Sequence, residues 1–315
     1  MRLLKTIDFR YMSNSAKAAL SNPLRAIKYA LSHYVPWVIK DDDLYLKTCY
    51  LLATRRVLHL KNPQTFTEKL QWLKLHDRNP RYSQLVDKYE VKKFIASLLG
   101  NEYVIPTFGV WDRFDEIDFD KLPNQFVLKC THDSGGLVIC KDKKLLDLSS
   151  ARKKIEKSLK NRFYMEGREY QYKDVKPRII AEKYLEQENG ESLKDYKVLC
   201  FNGKAKLIEY HSDRYTSHHT QDFYDTDWNK TSISQGGPDS VSDYVVGAPN
   251  NLRRMIEYSE LITKDMAHCR VDWYEIGTTL YFSEITFYDS SGFDRMDRDE
   301  DELMLGTWIN IDKLK

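Results

Sequence analysis

Short apolar runs with a strand-like composition lie close together in the second half of the chain, and this spacing limits the possible folds. The Asn202–Gly203 dipeptide separates two such runs, at 195–200 and 204–211. Asn-Gly is the typical sequence of a two-residue hairpin turn, and so short a turn joins only antiparallel strands. Strands and helices also fail to alternate regularly, as they do in a doubly wound fold. We therefore predict an α+β chain with mainly antiparallel sheets.

The remaining elements follow from local patterns. Residues 41–100 are predicted to be mostly helical, and Thr65 with Glu68 fits a capping box at a helix start. A polar stretch at 215–250 is predicted to be a long loop, which either shapes substrate choice at a functional site or forms a surface lid. Further helices are predicted at 147–161 and 251–268, and further strands at 103–108, 125–130, 135–141, 177–184, 269–273 and 279–287.

The composition excludes several classes of protein. Of the 315 residues, 42% are hydrophobic, which is enough to form a core and excludes a wholly disordered chain. The five cysteines are scattered and form no CxxC pair, so we expect free thiols in a reducing compartment. No run approaches the roughly 18 apolar residues of a membrane span, and the N-terminus lacks a secretory signal pattern. We expect a cytoplasmic protein.

Basic residues are concentrated at the N-terminus. Residues 1–40 hold seven Lys/Arg and one Asp, a net charge of +6, whereas the whole chain carries +2. Residues 15–34 also fit an amphipathic helix, with Pro23 at a helix start. Three interpretations remain open: a helix packed on the body, a basic helix on the inner face of the cytoplasmic membrane, or contact with partner helices. The basic arm lacks interleaved aromatic residues, so nucleic acid is not an expected partner.

Three segments carry residues suited to phosphate chemistry. In the first, Lys129 precedes a polar turn that contains His132, Ser134, Gly135 and Gly136. Glycine allows backbone N–H groups to approach an anion, and the lysine adds a positive charge. An ordinary glycine hairpin is the alternative interpretation.

The second segment contains acidic residues on two strands. Glu284 and Thr286 share one face of a strand because side chains alternate, and a partner strand would place Asp272 beside them. Two carboxylates and a hydroxyl suit Mg²⁺ bound together with phosphate. Exposed strand acids are the alternative. The third segment is the strand end from Glu182 to Leu185, which offers backbone groups to a purine and a carboxylate to a ribose.

The order of these segments resembles the ATP-grasp superfamily, and most closely its TupA-like branch, named for teichuronopeptide biosynthesis. The similarity covers roughly residues 60–295. It is carried by four stretches: Asn62-Pro-Gln-Thr-Phe-Thr-Glu-Lys-Leu, Lys129-x-x-His-x-Ser-Gly-Gly, Asp195-Tyr-Lys-Val-Leu-Cys-Phe-Asn-Gly and Ser-Asp213-Arg214. The resemblance implies a region at 86–295 whose two α+β subdomains, approximately 103–180 and 181–295, hold ATP between them. A helical region at 1–85 would precede it, and a tail at 296–315 would follow.

The resemblance also implies roles for individual residues. Lys129 and either Lys92 or Lys88 would hold the α/β phosphates, and the turn from Thr131 to Gly136 would close over the β/γ phosphates. Arg214 and Lys129 would act in catalysis, and Asp272, Glu284 and Thr286 would bind Mg²⁺. The adenine pocket would be formed by Glu182, Lys183, Tyr184 and Leu185, with Asp195 reaching the ribose and Lys197 beside it.

The chain departs from the superfamily pattern at three points. Thr286 replaces the asparagine that is usually the last metal ligand, and Cys130 replaces a proline after the phosphate-binding lysine. The region at 1–85 is predicted to be helical rather than Rossmann-like, so the acceptor site cannot be inferred by analogy.

The resemblance implies an ATP- and Mg²⁺-dependent ligase that activates a carboxylate as an acyl phosphate and joins it to an amine. An amino acid and a uronic-acid or peptide carboxylate of a bacterial surface polysaccharide, such as capsule, O-antigen or teichuronic-type polymer, are the expected substrates. The alternatives are a sugar or glycan kinase on the same fold, a nucleotide-sugar glycosyltransferase and a nucleotide-binding scaffold.

Overall fold

The computed structural model describes residues 22–187, 193–212 and 219–314. Its first sheet has four antiparallel strands in the order β1-β4-β2-β3. Strand β1 begins after Pro106, whose missing N–H cannot take part in a ladder, so it starts later than the predicted strand. The bounds are β1 Thr107–Trp111, β2 Phe126–Cys130, β3 Leu137–Cys140 and β4 Ile179–Lys183.

The second sheet has five antiparallel strands in the order β7-β6-β5-β8-β9. The predicted hairpin at Asn202–Gly203 is confirmed, since it joins β5 to β6 with φ values of 50° and 73°. Strand β7 lies inside the segment predicted to be a loop, which is a correction to that prediction. The bounds are β5 Lys194–Phe201, β6 Lys204–Ser212, β7 Thr220–Tyr224, β8 His268–Ile276 and β9 Thr279–Thr286.

Most helices begin at the caps that the sequence offers. The capping box of Thr65 and Glu68 is present, and Asp41 and Asp147 accept backbone N–H groups at two other helix starts. The helices are α1 Pro23–Tyr34, α2 Asp42–Thr54, α3 Phe66–His76, α4 Arg81–Val86, α5 Glu90–Leu98, α6 Leu148–Leu159, α7 Phe163–Gly167, α8 Leu252–Thr263 and α9 Asp299–Trp308.

The described residues form two hydrophobic cores. The smaller core lies between the four-stranded sheet and α6. The larger one joins the five-stranded sheet to α2, α3 and α5, so the N-terminal helices are packed on this sheet. The expected boundary at 180/181 falls inside β4. The expected tail at 296–315 contains α9, whose buried Glu302 accepts hydrogen bonds from the N–H and hydroxyl of Thr67.

The described part of the basic arm packs on the body. The Arg25 side chain donates to the carbonyl of Ala53 and lies 3.5 Å from an Asp294 carboxylate oxygen. The Lys28 ammonium lies 4.7 Å from the centre of the Phe293 ring. Residues 1–21 of the arm lie outside the described residues.

Two further expectations concern the cysteines and membrane-spanning helices. All five cysteines are buried free thiols, as the sequence predicts. Within the described ranges, no helix combines the length and apolarity that crossing a membrane requires.

A glycine in α9 tests how tightly this helix is built into the fold. A Cβ atom on Gly306 would lie 2.0 Å from the backbone oxygen of Gln64, whereas a Cβ on Gly247 would meet no atom within 4 Å. We expect Gly306→Ala to lower the free energy of unfolding by about 2 kcal/mol, because backbone must move to admit the methyl group. Urea denaturation measures this. Gly247→Ala is the control, and equal stability of the two variants would contradict the packing described.

Candidate functional site

A cleft of about 1040 Å³ lies at the four-stranded sheet and extends to Tyr274 of the second sheet. Apolar side chains of β2 and β3, among them Val127 and Ile139, line its wall, and residues 182–186 form its floor. Cofactor sites are commonly of this size, mostly apolar and equipped with a few polar groups. The structure therefore brings Lys129 together with four of the predicted adenine-site residues, Glu182, Lys183, Tyr184 and Leu185.

Three charged side chains, of which Glu182 and Lys92 are buried, form an ionic triad in this cleft. The Glu182 carboxylate lies between two lysines, with Oε1 2.7 Å from Lys92 Nζ and Oε2 2.7 Å from Lys129 Nζ. The Lys92 ammonium also donates to the carbonyl of Ile105 at 2.6 Å. The carboxyl group thus faces the two predicted phosphate-binding lysines, and not open space at the strand end.

The triad favours the charged forms of Glu182 and Lys129, whereas burial lowers the pKa of Lys92 although the Glu182 carboxylate opposes this. Burial alone would raise the pKa of Glu182, but Lys129 and Lys92 outweigh it and lower that pKa to about 2. Burial also opposes the charge on Lys129, and the Glu182 carboxylate reverses this, so the pKa of Lys129 is raised. The result is a fixed pair of positive charges beside an apolar pocket.

The glycine turn is held in shape by its own residues. Asp133 accepts from the Gly136 N–H at 3.3 Å and from the Ser158 hydroxyl, while its carbonyl accepts from the Lys88 ammonium. Lys88 therefore supports the turn, and Lys92 is the lysine that accompanies Lys129. A Cβ on Gly136 would lie 2.2 Å from Ser158 Oγ, so this glycine is required by the packing of α6.

The other residues of the turn differ in exposure. Ser134 and Gly135 are exposed at its tip, where their N–H groups are open to a ligand. The His132 imidazole is buried, and its Nε2 contacts the carbonyl of Asn161 at 3.2 Å. His132 therefore lies behind the turn.

A second charged network covers one face of the five-stranded sheet. Asp272 accepts two hydrogen bonds from Arg270, at 2.8 and 2.9 Å, and one from Lys197 at 2.9 Å. Lys197 Nζ also lies 3.4 Å from Asp195. Burial alone would raise the pKa of Asp272, but Arg270 and Lys197 lower it by more, so the pKa of Asp272 is lowered. Three of the predicted site residues thus meet around Arg270, which the sequence analysis did not single out.

The expected metal ligands lie at the edge of this network. Asp272 and Glu284 are direct cross-strand partners in β8 and β9, as the sequence predicts. The Glu284 carboxylate is 40% exposed and lies 3.8 Å from Arg270, and the Thr286 hydroxyl accepts from the same guanidinium at 3.3 Å. The strand pair therefore places all three predicted ligands beside one cation.

These residues suit Mg²⁺ that is bound jointly by the protein and by the phosphates of a nucleotide. A carboxylate has about four acceptor sites, and three donors occupy Asp272, so one site remains on Oδ1. In the part of the chain that the structure describes, no set of three or more His, Cys, Asp or Glu side chains is arranged to hold a metal. One or two carboxylates completed by substrate oxygens is the usual Mg²⁺ arrangement.

The charge balance around Arg270 also favours a bound divalent cation. Arg270 and Lys197 face five carboxylates, those of Asp195, Glu209, Asp272, Glu284 and Asp289. Burial and repulsion from Glu209 raise the pKa of Asp289, although Arg270 opposes this. Among the described residues, the cluster therefore holds more acids than bases, and a divalent cation would neutralise the excess.

One face of β8 connects the cleft to this network. Tyr274, Asp272 and Arg270 alternate with buried core residues and share that face. Tyr274 lines the cleft, and Arg270 lies four residues away, roughly 13 Å along the strand. A nucleotide whose base lies in the cleft can therefore direct its phosphates along β8 towards Arg270.

A strained turn follows β9 next to Arg270. Ser290, Ser291 and Gly292 have φ values of 47°, 53° and 61°, so three successive residues are in the left-handed region. The buried Lys74 ammonium donates to the carbonyl of Ser291 at 2.7 Å, and Gln71 donates to that of Gly292 at 2.7 Å. Such strain persists only where surrounding contacts enforce it, and it is concentrated at functional sites.

Several of these residues were missed by the sequence analysis. Arg270 lies two residues before Asp272, so the period of a strand already places both on one face. The contacts of Glu209 and Lys74 are made across elements distant in sequence and leave no local pattern. Arg214, the predicted catalytic arginine, lies outside the described residues.

Residues 68–310 match the model of the TupA-like ATP-grasp family. D-alanine–D-alanine ligase from Bacillus anthracis, complexed with ATP, matches with a TM-score of 0.39 and 16% identity over 64% of this chain and 55% of that chain. D-Alanine–D-alanine ligase from Helicobacter pylori matches with a TM-score of 0.45 and 15% identity, over 78% of this chain and 69% of that chain. The ADP complex of N5-carboxyaminoimidazole ribonucleotide synthetase matches with a TM-score of 0.42 and 14% identity, over 70% of this chain and 50% of that chain. A comparison with curated proteins finds no match.

The triad makes stability depend on pH. Glu182 has its pKa lowered from 4.5 to about 2, so its stabilising contribution is complete above the unfolded value and is lost as the pH falls towards 2. We expect Glu182→Gln to cost about 3 kcal/mol of unfolding free energy near pH 7, because it leaves the lysines without their counter-charge. The deficit should shrink as the pH falls below about 4.5.

Denaturant unfolding at several pH values measures this dependence. Glu257→Gln, on the exposed face of α8, is the matched control and should show a small difference that stays constant with pH. A Glu182→Gln deficit that does not change below pH 4.5 would contradict the triad.

Proposed function

The chain belongs to the TupA-like ATP-grasp family, and we propose that it is an ATP- and Mg²⁺-dependent ligase joining a carboxylate to an amine. The observation that carries the proposal is that β8 links two ionic clusters, one in the apolar cleft and one beyond Tyr274. The Lys92–Glu182–Lys129 triad lies beside the apolar pocket, and the Arg270–Asp272 network lies along β8.

Each cluster has a distinct part in this proposal. Lys92 and Lys129 bind the phosphates nearest the nucleoside, and the tip of the glycine turn at Ser134 and Gly135 covers the terminal ones. Residues 183–185 contact the adenine, and Asp195 the ribose. Asp272 and Glu284, with Thr286, hold Mg²⁺, which supplies charge neutralisation to the phosphates when bound.

Arg270 is the described guanidinium best placed to meet the negative charge that develops during phosphoryl transfer. It is fixed before the substrate arrives by its bonds to Asp272 and Asp289, and a preorganised cation stabilises such charge without reorganising. We therefore propose Arg270 for the role that the resemblance gives to Arg214.

The proposed reaction has two steps. A carboxylate oxygen of the acceptor attacks the terminal phosphorus of ATP, which forms an acyl phosphate and releases ADP. The amine then attacks the acyl carbon, the C–N bond forms, the C–O bond to phosphate breaks, and inorganic phosphate leaves. The protein contributes positioning and charge stabilisation, as is usual in phosphoryl transfer.

The proposed substrate class is supported by the name of the family alone. This name refers to teichuronopeptide, so we propose that an amino acid is attached to a uronic-acid or peptide carboxylate of a bacterial surface polysaccharide such as capsule or O-antigen. The large cleft and the exposed Ser134–Gly135 tip leave room for such a substrate beside the nucleotide.

A pooled assay tests the proposed activity. The protein is incubated with ATP, Mg²⁺, pools of the twenty amino acids and simple uronic acids, and ADP release and product mass are measured. ADP release that requires a carboxylate, together with an amide product, would support the ligase. ADP release independent of any carboxylate would overturn it, and a phosphorylated sugar would identify a kinase instead.

A variant of Glu284 tests the metal assignment. We expect Glu284→Ala to reduce turnover by at least about 1000-fold, because Mg²⁺ loses a carboxylate ligand. Its melting temperature should remain that of the wild type, since Glu284 is half-exposed and contacts Arg270 only at 3.8 Å. Glu257→Ala is the control for loss of one surface carboxylate. Turnover of Glu284→Ala close to that of the wild type would remove Glu284 from the metal site.

We further propose that the enzyme works at the inner face of the cytoplasmic membrane. Tyr34, Trp37 and Val38 are exposed in the described part of the basic arm, and aromatic and basic residues together favour an anionic lipid surface. Binding to vesicles containing phosphatidylglycerol should weaken with salt and decrease in Trp37→Ala, whereas Trp111→Ala serves as control. Equal vesicle binding by both variants would contradict this contact.

A further inference from the structure

A groove of about 1290 Å³ lies in the helical part of the chain, where α2, α3, α9 and the segment 56–65 form its walls. The described residues that line it include none of those assigned above to the nucleotide or to Mg²⁺. The groove is also larger than the nucleotide cleft. It is therefore a separate space that is open to a second ligand.

The walls of the groove combine apolar patches with exposed polar side chains. Val57 and Leu303 are exposed apolar residues, and Lys61 is an exposed cation. The exposed imidazole of His76 stacks on the Trp72 indole, with the ring centroids 4.2 Å apart. A sugar ring likewise combines apolar C–H faces with a rim of hydroxyl groups, so this mixture of side chains suits a glycan.

Two guanidinium groups share one carboxylate in the groove. The Asp299 carboxylate lies 2.8 Å from the Arg56 guanidinium and 2.7 Å from that of Arg295. Two cations and one acid leave one positive charge in excess, and Lys61 adds another. The trio therefore has positive charge available for an anionic ligand.

The other two acids of the groove are occupied by neighbouring groups. Asp43 forms an ion pair with Lys47, one turn further along α2. Glu68 is buried, and its carboxylate accepts the backbone N–H groups of His59, Gln64 and Thr65. The accessible charge that remains in the groove is positive, which favours an anionic ligand.

A polar cavity of about 490 Å³ adjoins the groove, because the Arg295 side chain lines both spaces. This cavity lies next to Arg270, and four basic side chains line it together with four acidic ones. Sugar hydroxyl groups both donate and accept hydrogen bonds, so they find partners of both kinds there. A ligand that extends from the groove past Arg295 therefore reaches the cation that is proposed to meet the transferred phosphoryl group.

The size and the walls of the groove favour a sugar chain over other ligands. A pocket of roughly 300–1000 Å³ already holds a drug-sized molecule, and the groove alone exceeds this range. An extended peptide usually adds to a free strand edge or lies in a continuous apolar groove. The described walls are helices and a loop segment with charged groups among the apolar ones, so they fit a glycan better than a peptide.

We propose that the groove binds an acidic oligosaccharide, and that one of its uronic-acid carboxylates lies in the polar cavity beside Arg270, where it attacks the terminal phosphate. Lys61 and Arg56 attract the sugar chain, and Arg295 lies where the chain enters the cavity. The acceptor is thus an assembled chain rather than a free uronic acid. The position of the reacting carboxylate rests on the proposed ligase function, whereas binding in the groove does not depend on ATP.

Isothermal titration calorimetry of the full-length protein at low salt, without ATP, tests the groove. The probes are the linear hexamer of D-galacturonate, free D-galacturonate and the neutral hexamer maltohexaose. We expect the acidic hexamer to bind at least about tenfold more tightly than the other two, because only it has both the length and the charge that the groove requires. Its binding should weaken with added salt. Equal affinity for the free sugar, or no binding of the acidic hexamer at millimolar concentration, would overturn the inference.

A charge reversal at Lys61 locates the binding. Lys61 is exposed, so Lys61→Glu should keep the fold and bind the acidic hexamer about fivefold more weakly. Lys206→Glu, at an exposed lysine of β6 outside the groove, is the matched control and should bind like the wild type. Equal affinity of the two variants for the hexamer would contradict the groove as its site. A glutamate hexapeptide that binds as tightly as the sugar hexamer would overturn the choice of a glycan.

Activity separates a failure of this inference from a failure of the proposed function. ADP release with ATP, Mg²⁺ and the pooled amino acids should show kcat/KM at least about tenfold higher for the acidic hexamer than for free D-galacturonate. Lys61→Glu should raise KM for the hexamer and leave kcat unchanged. Equal kcat/KM for the two sugars would overturn the inference and leave the ligase intact. Binding of the hexamer in the groove without carboxylate-dependent ADP release would support the glycan site and overturn the ligase.

Discussion

The Arg270 guanidinium is buried in the five-stranded sheet and contacts acidic groups from several separate elements. It donates to Asp272 on its own strand and to Asp289 after β9, and it lies 3.8 Å from both Glu209 on β6 and Glu284 on β9. A buried cation without these partners would be very costly, so the network must form as a unit. The positions of Asp272 and Asp289, which accept its hydrogen bonds, therefore depend on this one side chain.

The two clusters both stabilise charged side chains inside the protein, but with opposite ratios of acidic to basic groups. In the four-stranded sheet one carboxylate holds two lysines, whereas around Arg270 two cations hold several carboxylates. The first cluster presents positive charge to phosphates, and the second presents an acidic edge to a divalent cation. Both are fixed by hydrogen bonds before any ligand arrives, which is the condition for electrostatic stabilisation of a charged transition state.

Local patterns in the sequence were sufficient for much of this account. The Asn202–Gly203 hairpin, the capping box at Thr65 and the pairing of Asp272 with Glu284 each follow from a short-range rule, and all three are present. Strand β7 was missed because polar residues surround it, and α9 because its acidic first turn conceals a helix that packs on α3. The contacts of Glu209 with Arg270 and of Lys74 with Ser291 join distant segments, which no local period reveals.

The site assignment rests on one nucleotide spanning both clusters, and a structure with a non-hydrolysable ATP analogue and Mg²⁺ tests this most directly. The account predicts the adenine against residues 183–185, the inner phosphates at Lys92 and Lys129, and the terminal phosphate next to Arg270 with Mg²⁺ at Glu284. A nucleotide bound elsewhere, for example in the groove near Trp72 and His76 of α3, would contradict it.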